Sequence, residues 1–381
     1  MIKKILIVFG TRPEAIKMAP VVLGFKENEL FDVKVCVTAQ HREMLDQVLD
    51  IFEIKPDYDL DMMSPGQDLF DITAKVILGL RDVLRDASPD VVFVHGDTTT
   101  CFASALAAFY ENIPVAHIEA GLRTGDLRAP FPEEANRTLV SKLAKYHFAP
   151  TKISQENLLN ENIPDEFIHV TGNTVIDALY IVKEHLKNYS SEYWVNQHGE
   201  KLYKKIVDSN RKMILITGHR RENFGQGFID LCTAIKDIAL KHDDWDLVYP
   251  VHLNPNVQGP VYEILNDIDN VFLIQPQDYK PFVWLMDMCD LILTDSGGIQ
   301  EEGPSIGKPV LVMRDVTERP EAVEAGTVML VGTDRSTISS SIERVLEDSK
   351  TYNKMACSHN PYGDGNAVER IIKSMKKYLA C

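Results

Sequence analysis

LILTDSGGIQEEGPSIGKPVLVMRD, Leu291 to Asp315, decides how this chain is read. Leu291, Ile292 and Leu293 form a short apolar run of the kind that fills a parallel strand, and Asp295, Ser296, Gly297 and Gly298 break it sharply. A helix rich in acid at its first turn follows from Ile299. Two adjacent glycines let a phosphate approach the backbone, and the unpaired amides at a helix start carry partial positive charge that favours an anion. The order fits a phosphate cradle and points to a nucleotide-linked substrate. A plain strand-to-helix turn would use the same residues, so the motif gains force only from its company.

The composition is that of an ordinary globular protein: 381 residues, 45% hydrophobic and 25% charged, long enough for two cores. A formal net charge of −16 argues against a nonspecific nucleic-acid binder or an anionic-membrane binder, both of which need a broad basic field. An anionic ligand must therefore be met locally. The cysteines at 36, 101, 232, 289, 357 and 381 show no CxxC pair, which suits free thiols in a reducing compartment and places the protein in the cytoplasm. The apolar run in MIKKILIVFG is too short for a signal peptide and reads as a first strand. The histidines show no ligand spacing, so no metal is implied.

Apolar runs occur at Ile5–Phe9, Val33–Val37, Val91–Val94, Val115–Ile118, His147–Ala149 and Phe167–Val170. A second series follows at Met213–Ile216, Leu247–Val251, Val271–Ile274, Leu291–Leu293, Val310–Met313 and Val328–Val331. Helical patterns separate the runs in both series. Such alternation predicts an α/β chain of two doubly wound parallel-sheet domains in tandem. The polar, helix-prone stretch Gly172–Lys212 contains no convincing strand, which places the junction near Thr171. The expected domains are 1–171, rejoined by a C-terminal helix at 366–381, and 172–365. NPYGDGNA, Asn360–Ala367, breaks the chain before that helix.

The charged and glycine-rich clusters fall just after the carboxyl ends of the proposed strands. Gly10, Thr11, Arg12, Pro13, Glu14 and Lys17 follow the first strand; His95, Gly96 and Asp97 follow the third; His117, Glu119 and Gly121 end the fourth. In the second half the ends carry Gly218, His219, Arg220 and Arg221, and then Ser296, Gly297 and Gly298. Ligands of doubly wound sheets collect at that edge, so the expectation is one cleft with two carboxyl edges facing it. Arg12 and Lys17 read as ligand-binding cations, because a cation at the start of a helix opposes the dipole unless an anion lies near. Of His219, Arg220 and Arg221, His219 is the favoured phosphate donor. Asp97, Glu119 and Glu133, the last from FPEEANR, read as acid–base carboxylates, whereas Glu134 reads as an arginine partner.

Other motifs carry less. Asp59 and Asp61 form a DxD that reads as solvated charge in a loop, and the GQG at Gly225–Gly227 reads as a helix-start loop. Strand one ends in Gly10 with no further glycines at dinucleotide spacing, which removes the support for a nicotinamide cofactor.

FGTRPEAIKMAP at Phe9–Pro20, TAQHREMLDQVL at Thr38–Leu49, HGDTTT at His95–Thr100, HIEAGLRTG at His117–Gly125, FPEEANR, GHRREN, YPVHLNP, TDSGGIQEE, RDVTERPE and NPYGDGNA together resemble the nonhydrolysing UDP-N-acetylglucosamine 2-epimerases. The ordered matches run from residue 9 to residue 367. The resemblance implies the glycosyltransferase-B architecture, two Rossmann-like domains with the last helix crossing back onto the first. It implies interconversion of UDP-GlcNAc and UDP-ManNAc for surface polysaccharide synthesis by a homodimer without metal or nicotinamide. Members are understood to expel UDP from carbon 1, form a 2-acetamidoglucal and add UDP back. Arg12, His219, Ser296, Gly297 and Gly298 would then stabilise the departing UDP. By the same resemblance Glu302 holds the ribose hydroxyls, Arg319 helps bind the nucleotide and Phe282 lies near the uracil. Asp97, Glu119 and Glu133 move the carbon 2 proton, with Lys17 close by.

Some members are activated by a second UDP-GlcNAc held by a QHRQ segment and a downstream arginine. Here Gln40, His41 and Arg42 are followed by Glu43, and Gly66 stands at the arginine position, so weak or absent substrate activation is expected. Competing readings are a glycosyltransferase on the same architecture, a hydrolysing 2-epimerase, an epimerase of a related UDP-diacetamido sugar, and a noncatalytic nucleotide-sugar sensor. The joint presence of Asp97, Glu119 and Glu133 disfavours the sensor.

Overall fold

A computed structural model describes residues 2–39, 42–64, 66–208 and 210–379. The chain divides into two compact units, Met1–Ile181 with Tyr362–Cys381, and Val182–Pro361. The junctions expected after Thr171 and Gly365 are thus displaced: the first division falls inside the helix Thr174–Leu186 and the second falls before the NPYGDGNA turn is complete. Hydrogen bonds account for both shifts. Asp177, in the early part of that helix, accepts from the amides of Ala367 at 3.2 Å and Val368 at 3.0 Å, and the Asn173 amide donates to the Tyr362 carbonyl at 2.7 Å. The polar stretch between the two strand series is helical at Thr174–Leu186, Ser191–His198 and Glu200–Val207.

The first unit holds seven parallel strands: β1 Lys3–Phe9, β2 Phe31–Val37, β3 Tyr58–Asp59, β4 Val91–His95, β5 Val115–Ile118, β6 Tyr146–Ala149 and β7 Ile168–Val170. Their spatial order is β3-β2-β1-β4-β5-β6-β7. β3, absent from the sequence reading, is two residues long and sits at the sheet edge beside Cys36 and Val37. Such a short run carries too little periodicity to be seen. Asp59 therefore belongs to a strand rather than a loop, and its carboxylate pairs with Arg42. One face of the sheet packs Leu6, Val8, Val92 and Val94 against Ile72, Val76, Leu80 and Leu84 of the helix Leu69–Ala87. The helix Arg12–Lys26 buries Met18, Val21, Val22 and Phe25, and the Phe25 ring meets that of Phe93 at 5.1 Å. Each fully buried side chain of this size contributes about 1.5–3 kcal/mol.

The second unit has six parallel strands: β8 Lys212–Thr217, β9 Trp245–Pro250, β10 Val271–Ile274, β11 Leu291–Thr294, β12 Val310–Val312 and β13 Val328–Leu330. The order is β10-β9-β8-β11-β12-β13. Ile214, Ile216, Leu291 and Leu293 pack with Phe228, Leu231 and Ile235 of the helix Gln226–Lys241 and with Ile338, Ile342 and Val345 of the helix Arg335–Glu347. Both sheets reverse their winding once, between β1 and β4 in the first unit and between β8 and β11 in the second. The loops leaving those four strands diverge there and open a crevice at the carboxyl edge of each sheet.

Candidate active site

In the first unit, Thr11 caps the helix Arg12–Lys26, and Glu14 completes a capping box. Glu14 Oε2 accepts from the amides of Gly10 at 3.0 Å and Thr11 at 2.8 Å, while Oε1 accepts from the Thr98 hydroxyl at 2.5 Å. This buried carboxylate therefore ties the loop after β1 to the loop after β4. Burial raises its pKa, and the hydrogen bonds pull it back down. A Cβ at Gly10 would stand 1.9 Å from Thr38 Oγ1 and 2.8 Å from Thr100 Oγ1, so close packing requires glycine there. Arg12 is half-buried at the start of its helix and enters no ion pair among the described residues.

Lys17 lies in the second turn of that helix, not the first as expected. Its ammonium is bonded to Glu119 Oε2, so it is not a solvated charge. Glu119 follows β5 with φ +61, a left-handed conformation uncommon outside glycine. The same Glu119 oxygen accepts from Asn173 Nδ2 at 2.7 Å, and His95 Nε2 stands 3.9 Å from it. Burial pushes the His95 imidazole down to about 4, against the pull of Glu119, so the ring is neutral at pH 7. His117 shares Nε2 with the Gly96 carbonyl at 2.7 Å, and burial pushes it down to about 3; a neutral ring donating from Nε2 fits that contact and holds the Gly96 turn.

Asp97 follows β4. Its carboxylate meets Arg137 Nη2 at 2.8 Å, and its carbonyl accepts from Asn136 Nδ2 at 2.8 Å. Burial raises its pKa; Arg137 and Lys17 lower it, and Glu119 and Glu133 raise it further. Asp97, Glu119, Glu133, Lys17 and Arg137 thus share one electrostatic neighbourhood at the carboxyl edge of the first sheet. Glu133 begins the helix Glu133–Leu143, half-buried, with no cation at ion-pair distance among the described residues. Its neighbour Glu134 is buried and spent on structure, accepting from the amides of Thr124 and Gly125 at 3.1 Å each, with Arg137 Nε at 3.5 Å.

In the second unit a buried aspartate joins the two loops. Asp295 Oδ2, just past β11, accepts from the amides of His219 and Arg220 at 2.8 Å each, which shapes the turn after β8. The His219 side chain is 49% exposed, with Nδ1 at 3.8 Å from Asp295 Oδ1, and its ring stacks on that of His252 at 4.9 Å. The Ser296 amide donates to Thr294 Oγ1 at 3.0 Å. Gly297 and Gly298 lack positive φ, and Gly298 is helical at φ −63, ψ −39. Their backbone conformation does not require glycine. The nearest atom to a Cβ at Gly297 would be Arg220 Nη2 at 3.9 Å, and to one at Gly298, Glu302 Oε2 at 3.7 Å. Omitting both side chains leaves open space beside the backbone. The helix Ile299–Ser305 has seven residues and no side-chain cap, so its dipole is small and the loop amides matter more.

Glu302 is buried and accepts from the Tyr279 hydroxyl at 2.7 Å. Phe282 lies one turn beyond Tyr279 on the helix Tyr279–Met288. Arg319 donates from Nε to the buried Glu301, so part of its guanidinium holds the Thr317–Pro320 turn against the Ile299 helix. Gln40 and His41 lie outside the described residues. Arg42, beside them, pairs with Asp46 and Asp59, and Gly66 is exposed at φ +74.

Four residues of these clusters were missed or underrated in the sequence. Arg220 was ranked below His219, yet its guanidinium end overlooks Gly297. Arg137 had a signal, since it stands four residues after Glu133 on one helix face. Asp295 had one too, a carboxylate directly after a buried strand. Asn173 had none, because its contact with Glu119 is made only by the fold. Among the described residues no group of three His, Cys, Asp or Glu side chains is placed to hold a metal ion. No helix among them is long and apolar enough to cross a membrane.

Residues 24–376 match the family model of the UDP-N-acetylglucosamine 2-epimerases. The chain is 60% identical over 375 residues to the UDP-N-acetylglucosamine 2-epimerase of Salmonella typhimurium, covering 98% of this chain and 99% of the relative. It is also similar to the crystal structure of UDP-GlcNAc 2-epimerase from Neisseria meningitidis bound to UDP-GlcNAc, at 55% identity and a TM-score of 0.88 over 98% of this chain and 100% of that one. The Methanocaldococcus jannaschii UDP-GlcNAc 2-epimerase in complex with UDP-GlcNAc and UDP matches at 32% identity and a TM-score of 0.78, covering 98% and 99% of the two chains.

Proposed function

The chain belongs to the UDP-N-acetylglucosamine 2-epimerases, which are isomerases, and from that premise we propose that it interconverts UDP-GlcNAc and UDP-ManNAc by eliminating and readding UDP. The proton on carbon 2 is hardly acidic, so direct inversion has a high barrier. In the proposed route a carboxylate takes that proton, the carbon 1–oxygen bond breaks with its electron pair leaving on UDP, and a carbon 1–carbon 2 double bond forms. A proton is then delivered to the opposite face of carbon 2 while the UDP oxygen re-forms its bond to carbon 1. Two faces call for more than one acid–base group. The observation that carries this reading is the convergence of Asp97, Glu119 and Glu133 with Lys17 and Arg137 on one sheet edge. Positioned acid–base groups contribute typically ~10²–10⁴-fold in rate.

Departing UDP carries the developing negative charge. We assign its stabilisation to Arg12, His219, Ser296, Gly297 and Gly298, and add Arg220 to that set. Glu302, steadied by Tyr279, would hold the ribose hydroxyls, and Phe282 would lie near the uracil. Arg319 would support that rim through Glu301. None of these steps calls for a metal or a nicotinamide. We further infer a cytoplasmic homodimer that supplies UDP-ManNAc for surface polysaccharide synthesis. The buried thiols of Cys36, Cys101, Cys232 and Cys289 suit a reducing compartment, and a second copy would cover the exposed Phe70, Leu78, Phe109 and Tyr110.

The test is incubation with UDP-GlcNAc in deuterated water, followed by proton NMR. UDP-ManNAc with deuterium at carbon 2 is the expected product. Free ManNAc and UDP would identify a hydrolysing enzyme, and product without deuterium would sink the elimination route.

A further inference from the structure

Asn173 follows β7 and is 3% exposed. Its Oδ1 accepts from the Val175 amide at 3.2 Å, which fixes the amide orientation and leaves Nδ2 to donate to Glu119 Oε2 at 2.7 Å. The turn to Val175 would form without that second bond, so the local backbone does not require Asn173 to reach Glu119. The backbone around Asn173 is held from the far end of the chain. Its amide donates to the Tyr362 carbonyl at 2.7 Å. Gly172 and Gly363, at φ +87 and +125, approach so closely that a Cβ on Gly172 would stand 3.2 Å from the Gly363 Cα. Asp177, one turn on, accepts from the first amides of the helix Ala367–Tyr378.

We propose that Asn173 is a positioning residue for the acid–base chemistry, holding the Glu119 carboxylate from a segment that the returning end of the chain braces. The inference rests on the reading of Glu119 given above. Lys17 and Asn173 bond the same oxygen from different elements and so fix the orientation of the Glu119 carboxylate, as a proton-transfer group requires.

Among the described residues, the charged and titratable groups near Glu119 include Lys17 from the helix Arg12–Lys26, His95 and Asp97 at the end of β4, and Cys101 from the helix Thr99–Tyr110. All remain in the variants Asn173→Asp and Asn173→Ser. Asn173→Asp keeps the acceptor for Val175 but sets a second carboxylate against Glu119; Asn173→Ser keeps a short hydroxyl that cannot reach it. Hydrogen-bond donors favour a carboxylate's charged form and like charges disfavour it. Whichever limb of the pH–rate profile Glu119 governs therefore moves to higher pH in both variants, further in Asn173→Asp. The expected fall in kcat at neutral pH is roughly 10²-fold, the scale of an ångström-sized misplacement, with KM for UDP-GlcNAc and UDP affinity unchanged. A folded variant with the wild-type pH profile, or a loss confined to KM, overturns the proposal. Glu119→Gln separates the two failures: activity retained there defeats the reading of Glu119, whereas an inactive Glu119→Gln beside an unshifted Asn173→Asp defeats only the role of Asn173.

Discussion

The two sheet reversals share a plan and differ in how their helix starts are closed. At each, a buried carboxylate clasps both loops: Glu14 joins the β1 and β4 loops, and Asp295 joins the β8 and β11 loops. In the first unit both following helices are sealed by side chains, Thr11 accepting from the Glu14 amide and Thr98 from the Cys101 amide. In the second, the helices starting at Gln226 and Ile299 have no side-chain cap, and glycines precede both. A capped start spends one of its free amides on the capping side chain, whereas an uncapped one leaves that amide for an anion. The charges follow the same division. Asp97 and Glu119, paired with Arg137 and Lys17, gather with Glu133 on the first edge, and on the second the amides of His219 and Arg220 hold the turn. On the proposed reading, the carboxylates of the first edge move protons and the loop amides and cations of the second hold phosphate.

The sharpest way to break that division is to remove its acids. Asp97→Asn and Glu133→Gln should each abolish turnover, a loss at the upper end of ~10²–10⁴-fold, while calorimetric UDP binding stays intact. Near-normal turnover in either variant would return these carboxylates to a structural role. On the other edge, Arg220→Ala should weaken UDP binding by about 1.5–3 kcal/mol, the value of a charge-assisted hydrogen bond, and leave the melting temperature in place. Unchanged affinity would remove Arg220 from the phosphate set.

Glycine substitutions sharpen the comparison further. Gly10→Ala forces a Cβ onto Thr38 and Thr100 and should destabilise the fold by about 1–3 kcal/mol. Gly297→Ala meets only open space and the Arg220 side chain, so it should spare stability and weaken UDP binding. Equal effects on melting temperature would erase the contrast between a packing glycine and an open one. The smallest effect concerns pH. Burial pushes the Asp177 carboxyl up to about 6 from an ordinary 3.8, so the folded state binds its proton more readily than the unfolded chain. The stability it lends is complete below about 4 and lost as pH rises through about 6. Wild type should therefore gain in melting temperature relative to Asp177→Asn as pH falls from neutral to about 4; parallel curves would refute this.

Much of this was legible beforehand because strand periodicity and strand-end chemistry are local. The twelve apolar runs all lie in or overlap strands of the two sheets, and the loops carrying Arg12, Asp97, Glu119, His219 and Ser296 leave strand ends as read. The short edge strand β3 was not legible, since two residues show no period. The domain boundary was misplaced because hydrogen bonds between Asp177 and the amides of Ala367 and Val368 cannot be seen along the chain. Lys17 was read as a first-turn cation because an unanchored helix start is uncertain by a few residues.

By itself, then, the order of residues determined the two parallel α/β units, the family and which polar loops leave the strand ends, because hydrophobic periodicity and turn residues act over a few positions. Only the tertiary structure decided the partners: Lys17 and Asn173 on Glu119, Arg137 on Asp97, Asp295 under His219 and Arg220. Those pairings join residues far apart in sequence, and a buried polar group takes whichever partner the packed sheet brings within hydrogen-bond reach.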